Sequence, residues 1–205
     1  MTVWAVLVAA GSGDRFGGPK QYELLGGRRV LDWSLGLARA ACDGVVLVVP
    51  RAFAGDFEPG ADIVVAGGLT RSASVRAGLA ALPPETDLVL VHDAVRPRAS
   101  LDLWDRVIQA LEHGAEAVVP AVPVVDTLRR RGGGTADRSD FLAVQTPQGF
   151  TVKALRRAHA GGAEGSDDAS LFEAAGGKVV VVDGEPENIK ITTPSDLHVL
   201  EALPW

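Results

Sequence analysis

The apolar positions of this chain fall into short continuous runs separated by stretches with helical spacing. The first run, Val3 to Ala10, is bounded by Gly11, which predicts a strand buried on both faces. Val45–Val49, Asp62–Val65, Leu88–Val91, Ala117–Pro120 and Lys178–Val182 repeat the pattern. Between them Leu31, Ser34, Leu35, Ala38 and Ala41 share one helix face. Val75, Leu79 and Leu82 do the same, as do Leu103, Trp104, Val107, Ile108 and Leu111. Thr70 and Ser100 stand at the N-cap positions of the last two, and Pro83-Pro84 and Gly114 end them. Two shorter helices follow, one through Leu155 and Ala158 and one from Ser166 to Ala175, and Thr193-Pro194 opens a closing helix. This alternation predicts an α/β fold with a mostly parallel, twisted sheet and right-handed crossovers.

The alternation lapses between Pro123 and Phe150. There Asp126–Arg131, the Gly132-Gly133-Gly134 turn and Phe141–Gln145 predict a β-hairpin arm, at about 123–146, projecting from a single domain that spans 1–205. Such an arm, too polar to bury in its own domain, invites a partner.

Composition narrows the function classes. With 205 residues and 47% hydrophobic content the chain can bury one sizeable core. A net charge of −6 argues against non-specific nucleic-acid binding, yet leaves room for a small basic pocket that takes an anionic metabolite. The only cysteine is Cys42, so no disulfide can form within the chain. No basic leader and no apolar run of membrane-spanning length are present, which predicts a cytoplasmic protein without membrane partners. His92, His113, His159 and His198 show no ligand spacing, so zinc is not expected.

Chemistry is expected where charge follows a buried strand. After the first strand comes Gly11-Ser-Gly-Asp-Arg-Phe-Gly-Gly-Pro-Lys20. Gly11, Gly13 and Gly17 are spaced one residue too widely for a dinucleotide fingerprint, and Lys20 is followed by Gln21 where a Walker loop needs Ser or Thr. What remains is a loop of exposed amides with Arg15 and Lys20 beside it, suited to an anion. Three more clusters follow strands: His92, Asp93 and Arg96; Asp126, Thr127, Arg129 and Arg138; and Asn188 with Lys190. A doubly wound sheet gathers such loops at one edge, where cations surround a polyphosphate and Asp93 ligates Mg²⁺ or another divalent cation. That arrangement suits phosphoryl or nucleotidyl transfer, which requires no nucleophilic side chain. Blander readings stand beside it. His92-Asp93 also reads as a helix start with a satisfied histidine, Asp167-Asp168 as helix N-terminal charge, Arg129–Arg131 as solvated, and Gln145-Thr-Pro-Gln148 as a turn.

Taken in order, Ala9-Ala-Gly-Ser-Gly-Asp-Arg-Phe, Pro19-Lys-Gln, Gly67-Gly-Leu-Thr-Arg-Ser-Ala-Ser-Val75, Val91-His-Asp-Ala-Val-Arg-Pro97, Asp126-Thr127, Gln145-Thr-Pro-Gln148, Asp167-Asp-Ala-Ser-Leu171 and Glu187-Asn-Ile-Lys-Ile-Thr-Thr-Pro194 form a specific set. The chain resembles the 2-C-methyl-D-erythritol 4-phosphate cytidylyltransferases over nearly its whole length. The resemblance implies a Rossmann-like nucleotidyltransferase fold, a homodimer joined through its arms, and transfer of CMP from CTP to the sugar-alcohol phosphate in isoprenoid precursor synthesis. It implies that Ala10, Gly11, Ser12 and Gly13, with Arg15 and Lys20, hold the triphosphate, and that Gly68 and Ser74 lie by cytosine and ribose. Asp93 would serve Mg²⁺ and substrate, Ala94 would bind substrate, Arg96 and Lys190 would help bind the sugar phosphate, and Thr127 and Arg138 would come from the other subunit's arm. The loop between Arg15 and Lys20 is shorter than the family pattern, and the arm is compact. Two alternatives stay open: a cytidylyltransferase for another polyol phosphate such as ribitol 5-phosphate, and a non-catalytic nucleotide-binding domain.

Overall fold

A computed structural model describes residues 1–204. In chain order the elements are β1 (Val3–Val8), β2 (Leu24–Leu25), β3 (Arg28–Arg29), α1 (Val30–Ala41), β4 (Gly44–Val49), β5 (Ile63–Ala66), α2 (Arg71–Ala80), β6 (Leu88–Asp93) and α3 (Leu101–Glu112). They continue as β7 (Ala117–Pro123), β8 (Leu128–Arg129), β9 (Thr135–Ala136), β10 (Leu142–Val144), β11 (Gln148–Thr151), α4 (Val152–Ala158), α5 (Asp168–Ala174), β12 (Val179–Asp183) and α6 (Pro194–Ala202).

The main sheet runs β10-β7-β11-β6-β1-β4-β5, with β12 pairing β7. Pairs β1–β4, β1–β6, β4–β5 and β12–β7 are parallel, whereas β10 and β11 run antiparallel to their neighbours. The fold is thus α/β with a mostly parallel sheet, as the alternation predicts. Successive β1 side chains enter opposite layers, as the two-residue period of a strand requires. Ala5 and Leu7 pack with Leu31, Leu35 and Trp104 of α1 and α3, while Val6 packs with Val75, Leu79, Leu155 and Phe172 of α2, α4 and α5. Fully burying side chains of this size contributes about 1.5–3 kcal/mol each, so the two apolar layers fix where the strand ends lie. A smaller cluster of Leu25, Val30, Val95, Ile191 and Leu200 seats α6 against the loop after β6.

Register then positions the site. Val8, the last residue of β1, pairs with Asp93, the last residue of β6, so the glycine loop and the Asp93 carboxylate leave the sheet side by side.

Three expectations need correction. The first strand stops at Val8, and Ala9-Ala10 already belongs to the loop, although the Ala9 N–H still donates to Val48 O at 2.8 Å. The expected pairing of Asp126–Arg131 with Phe141–Gln145 does not occur: Leu128–Arg129 pairs with Thr135–Ala136 across the glycine turn, and Leu142–Val144 extends the main sheet along Ala121–Pro123. Gly133 (φ +102°) and Gly134 (φ +81°) supply the left-handed backbone that lets so short a turn close locally. The Gln145–Gln148 segment leads into β11, a sheet strand that its polar start and the short run Phe150-Thr151 conceal.

Candidate active site

The glycine loop is closed by its own backbone. Gly13 O accepts the N–H groups of Phe16 (2.8 Å), Gly17 (3.0 Å) and Gly18 (3.3 Å), and Gly18 O accepts that of Lys20 (2.8 Å). A side chain at Gly13 would place its Cβ 1.7 Å from Gly18 O, and the φ of +75° disfavours any other residue there. Gln21, buried at the turn after Lys20, donates from Nε2 to Ala9 O (2.8 Å) and Gly11 O (3.3 Å), which ties the two ends of the loop together. Among the described residues no acceptor takes the N–H groups of Gly11, Ser12 and Gly13, so the donors an anion needs are left free. The shortened loop is therefore held in shape by bonds of its own.

Two adjoining cavities open at this edge of the sheet. The larger, about 460 Å³, is lined by Ala10, Gly11, Ser12, Arg15, Lys20, Gly68, Ser74, Asp93 and Lys190, together with Val8, Ala9, Gln21, Leu69, Thr70, Arg71 and Val95. The smaller, about 120 Å³, is lined by Arg96, Gln145, Thr146, Gln148, Ser166 and Asp167, with Val144, and shares Arg71, Asp93 and Lys190 with the first. An apolar groove of about 620 Å³ by Trp33, Leu37 and Pro186 lies apart from these charged groups.

Most residues expected at the site are thus brought together. Four are not in either lining: Gly13 shapes the loop behind it, Ala94 is buried with its carbonyl accepting from Ser34 Oγ (2.9 Å), and Thr127 and Arg138 stand exposed on the arm. There an Arg138 Nη donates to Val125 O. Ser74 Oγ donates to Thr70 O (2.9 Å) and accepts from the Gly68 N–H (3.2 Å), which fixes the start of α2 against the cavity wall.

Asp93 is the charge centre. Its Oδ1 accepts from Arg71 Nε at 3.2 Å and its Oδ2 from Lys190 Nζ at 2.6 Å. Burial by itself would raise its pKa, but the charges of Arg71 and Lys190 and the Lys190 hydrogen bond outweigh that and hold the carboxyl well below the usual carboxylate range. Lys20 shows the converse: burial first, then the charges of Lys190 and Arg15, push its ammonium pKa down. Four cations, Arg15, Lys20, Arg71 and Lys190, face one carboxylate in the larger lobe, an excess of positive charge that suits an anionic ligand.

The Gln145–Gln148 segment is more than a turn. Gln145 exchanges two hydrogen bonds with the Glu185 backbone (2.7 and 3.0 Å), Asn188 Nδ2 donates to Thr146 O (2.9 Å), and Arg96 Nη1 donates to Asn188 O (2.7 Å). These contacts clamp the loops carrying Arg96 and Lys190 to the sheet. Arg71, Gln145, Thr146 and Asp168 escaped the reading of single residues, although each sits inside a recognisable motif. Their roles depend on partners distant in sequence, as for Gln145 with Glu185, 40 positions away, and Arg71 with Asp168, 97 positions away.

His92 settles as a strut. Its Nε2 lies 3.1 Å from Arg96 O, a group that can only accept, so Nε2 carries the proton. Nδ1 then accepts from Thr146 Oγ1 (2.9 Å), which itself accepts the Asp93 N–H (3.1 Å). Burial is the main cause that lowers the His92 pKa to about 4. The unfolded chain, with a histidine near 6.5, therefore binds the extra proton first, so this contribution to stability is complete above pH 6.5 and is lost as pH falls toward 4. The loss should reach about 3 kcal/mol. Denaturant unfolding at pH 7 and pH 5 should show it, and His92→Asn should flatten the slope; equal slopes for parent and variant would remove His92 as its source.

Comparison with known proteins agrees with this geometry. The family model for 2-C-methyl-D-erythritol 4-phosphate cytidylyltransferase matches residues 3–203. The chain is 44% identical to the enzyme of that name from Rhodococcus jostii, over 98% of this chain and 94% of that protein. It is also 44% identical to a bifunctional IspD/IspF enzyme from Nitratidesulfovibrio vulgaris, of which it spans only 58%. A second bifunctional relative, from Clavibacter michiganensis, is spanned over 53% of its length, so the chain covers little more than half of such proteins. Among solved structures, the 2-C-methyl-D-erythritol 4-phosphate cytidylyltransferase of Thermus thermophilus superposes with a TM-score of 0.85 at 41% identity, covering 98% of each chain. The bifunctional IspDF of Campylobacter jejuni gives 0.87 at 27% identity, covering 97% of this chain and 54% of that one. On its sequence, its fold and the grouping of charges at one sheet edge, this chain belongs to the 2-C-methyl-D-erythritol 4-phosphate cytidylyltransferase family.

Proposed function

We propose that this protein transfers CMP from CTP to 2-C-methyl-D-erythritol 4-phosphate, releasing pyrophosphate, as a cytoplasmic homodimer in isoprenoid precursor synthesis. The observation that carries the reading is the pair of cavities meeting at Asp93 and Lys190, one walled by the glycine loop and the other by Arg96. CTP takes the larger lobe, with its phosphates against the free amides, Arg15 and Lys20. The polyol phosphate takes the smaller lobe, facing Arg96 and Lys190. Its phosphate is largely dianionic at pH 7, so it needs no protein base. One of its oxygens attacks the α-phosphorus of CTP, the new P–O bond forms, and the bond to the β-phosphate breaks with its electron pair leaving on pyrophosphate. Arg15, Lys20 and Lys190 offset the negative charge that builds on the α-phosphate and the departing group.

The donor set fits Mg²⁺ only if the ion arrives with its substrate. Asp93 is the one carboxylate in the larger lining, and among the described residues no group of three or more His, Cys, Asp or Glu side chains is arranged to hold a metal. Mg²⁺ commonly binds through one carboxylate plus phosphates and water. Asp93 would hold it, and the chemistry it supplies is neutralisation of triphosphate charge.

Support for a dimer comes from the arm, where Val125, Phe141, Leu142 and Val144 expose apolar side chains beside Thr127 and Arg138. Exposed side chains of that kind on one projection suit a second copy of the chain. The purified protein should release pyrophosphate from CTP and Mg²⁺ with 2-C-methyl-D-erythritol 4-phosphate in preference to ribitol 5-phosphate. No release with any polyol phosphate would favour a binding domain instead.

If the arm of one subunit completes the other's site, Arg138→Ala should raise KM for the polyol phosphate with little change for CTP, because a guanidinium binds phosphate through two charge-assisted bonds. Mixing Arg138→Ala with Lys20→Ala chains should then restore activity. In a mixed dimer, one site has its body from the first chain and its arm from the second, and random exchange leaves about a quarter of all sites intact. Confirmed subunit exchange without recovered turnover would place Arg138 outside the neighbour's site.

A further inference from the structure

Arg71, the first residue of α2, has a guanidinium whose bonds are unequal. Nε donates to Asp93 Oδ1 (3.2 Å), Nη1 donates to Asp168 Oδ2 (2.8 Å), and Nη2 is buried with no hydrogen-bond partner. Asp168, the first residue of α5, is fully buried, and its Oδ1 lies 2.8 Å from Nε2 of the equally buried His159. Gln148 locks α5 in place: its Nε2 donates to Asp167 Oδ2 (2.7 Å) and its Oε1 accepts the Ala169 N–H (3.2 Å). A chain of contacts thus runs from the end of α4 through His159, Asp168 and Arg71 to Asp93. A buried ion pair is seldom more stabilising than a well-packed apolar substitute, so stability alone does not account for it. An unpartnered guanidinium nitrogen is costly to bury unless a ligand takes it.

Arg71, Asp93 and Lys190 are the residues common to both cavity linings. If the lobes hold the two substrates, their reacting atoms meet at the residues the lobes share. We propose, resting on the transfer reading above, that Arg71 is a further catalytic residue whose Nη2 donates to an α-phosphate oxygen, and that Asp168, braced by His159, is the positioning residue that orients it. Asp168 fixes one edge of the guanidinium plane and Asp93 another, so its orientation is set by the fold before substrate enters. Such preorganised donors act on charge as it develops, with no reorganisation during the step.

The test uses Arg71→Lys, which keeps a cation beside Asp168 but loses the second and third bonds, and Asp168→Asn, which keeps shape. Arg71→Lys should lower kcat about 10²-fold with KM for the polyol phosphate little changed, and should weaken CMP binding about tenfold in titration calorimetry. Asp168→Asn should lower kcat about tenfold, read well below its melting temperature, which should itself fall because Arg71 is left with Asp93 as its one carboxylate partner. The double variant should be no slower than Arg71→Lys alone, because Asp168 acts through Arg71. Losses that multiply would instead overturn the positioning role. Parent-like kcat in Arg71→Lys overturns the catalytic role. If the parent itself shows no turnover, the transfer reading fails separately, and CMP affinity decides: weakened binding in Arg71→Lys upholds the phosphate contact, and unchanged binding overturns it. Should Arg71→Lys fail to fold, parent-like kcat in Asp168→Asn overturns the proposal, and a tenfold loss at intact KM upholds it.

Discussion

Lys20→Ala should lose about 10²–10³ in kcat, equivalent to roughly 3–4 kcal/mol of transition-state stabilisation, while folding as well as the parent. Lys20 follows the closed glycine loop, lines the larger lobe, and has its pKa lowered by burial and by the neighbouring Lys190 and Arg15. Removing it relieves repulsion in the empty site, so a merely structural lysine and a catalytic one predict opposite patterns. A structural lysine would cost stability; this one should cost rate. The sign with pH follows from the same shift. Catalysis needs the ammonium, so kcat/KM should fall as pH rises through a pKa below the ordinary 10.5, and that limb should be absent in Lys20→Ala. Rates are best followed by pyrophosphate release under saturating CTP. A Lys20→Ala protein turning over at the parent rate would end the assignment.

Much of the fold was legible because its strands are buried on both faces and its helices on one. Continuous runs such as Leu88–Val91 and faces such as that of α3 can be read from apolar spacing alone, and Thr70 and Ser100 do cap α2 and α3 by accepting the Ala73 and Leu103 N–H groups. The segment from Pro123 to Phe150 was less legible for a physical reason. Its strands of two to four residues are set by which neighbour has unpaired backbone groups, and Leu142–Val144 found them on β7. At the site, charges next to strand ends were readable as candidates, since parallel topology gathers those ends. What joins them was not. The partners of Asp93 lie 22 and 97 positions away, and spacing carries no information on such pairs. Gln21 illustrates the gap: the sequence shows only that it replaces the Walker hydroxyl, whereas the fold makes it the bracket of the glycine loop.

Asp93→Asn should lower kcat by a comparable 10²–10³ and flatten its dependence on Mg²⁺ concentration. Asparagine keeps the shape, but its one amide oxygen can stand in for only one of the two carboxylate oxygens, so the change removes the charge together with one of the bonds from Arg71 and Lys190. In the folded protein the Asp93 pKa is depressed, so its contribution to stability is present above the ordinary carboxylate pKa near 4 and lost as pH falls below it. At pH 7 the variant should therefore be less stable, by about 1–3 kcal/mol, since Arg71 would keep full charge opposite Asp168 alone while Lys190, more exposed, would be screened by water. Three outcomes are separable by measuring kcat against Mg²⁺ and unfolding side by side. Loss of rate together with loss of the Mg²⁺ response identifies Asp93 as the residue that meets the metal. Loss of rate with the Mg²⁺ response intact makes it the anchor that aims Lys190 and Arg71. Normal rate and normal Mg²⁺ response, with only the stability cost, would leave it a structural counter-ion, because a carboxylate needed in the reaction cannot be neutralised without slowing it.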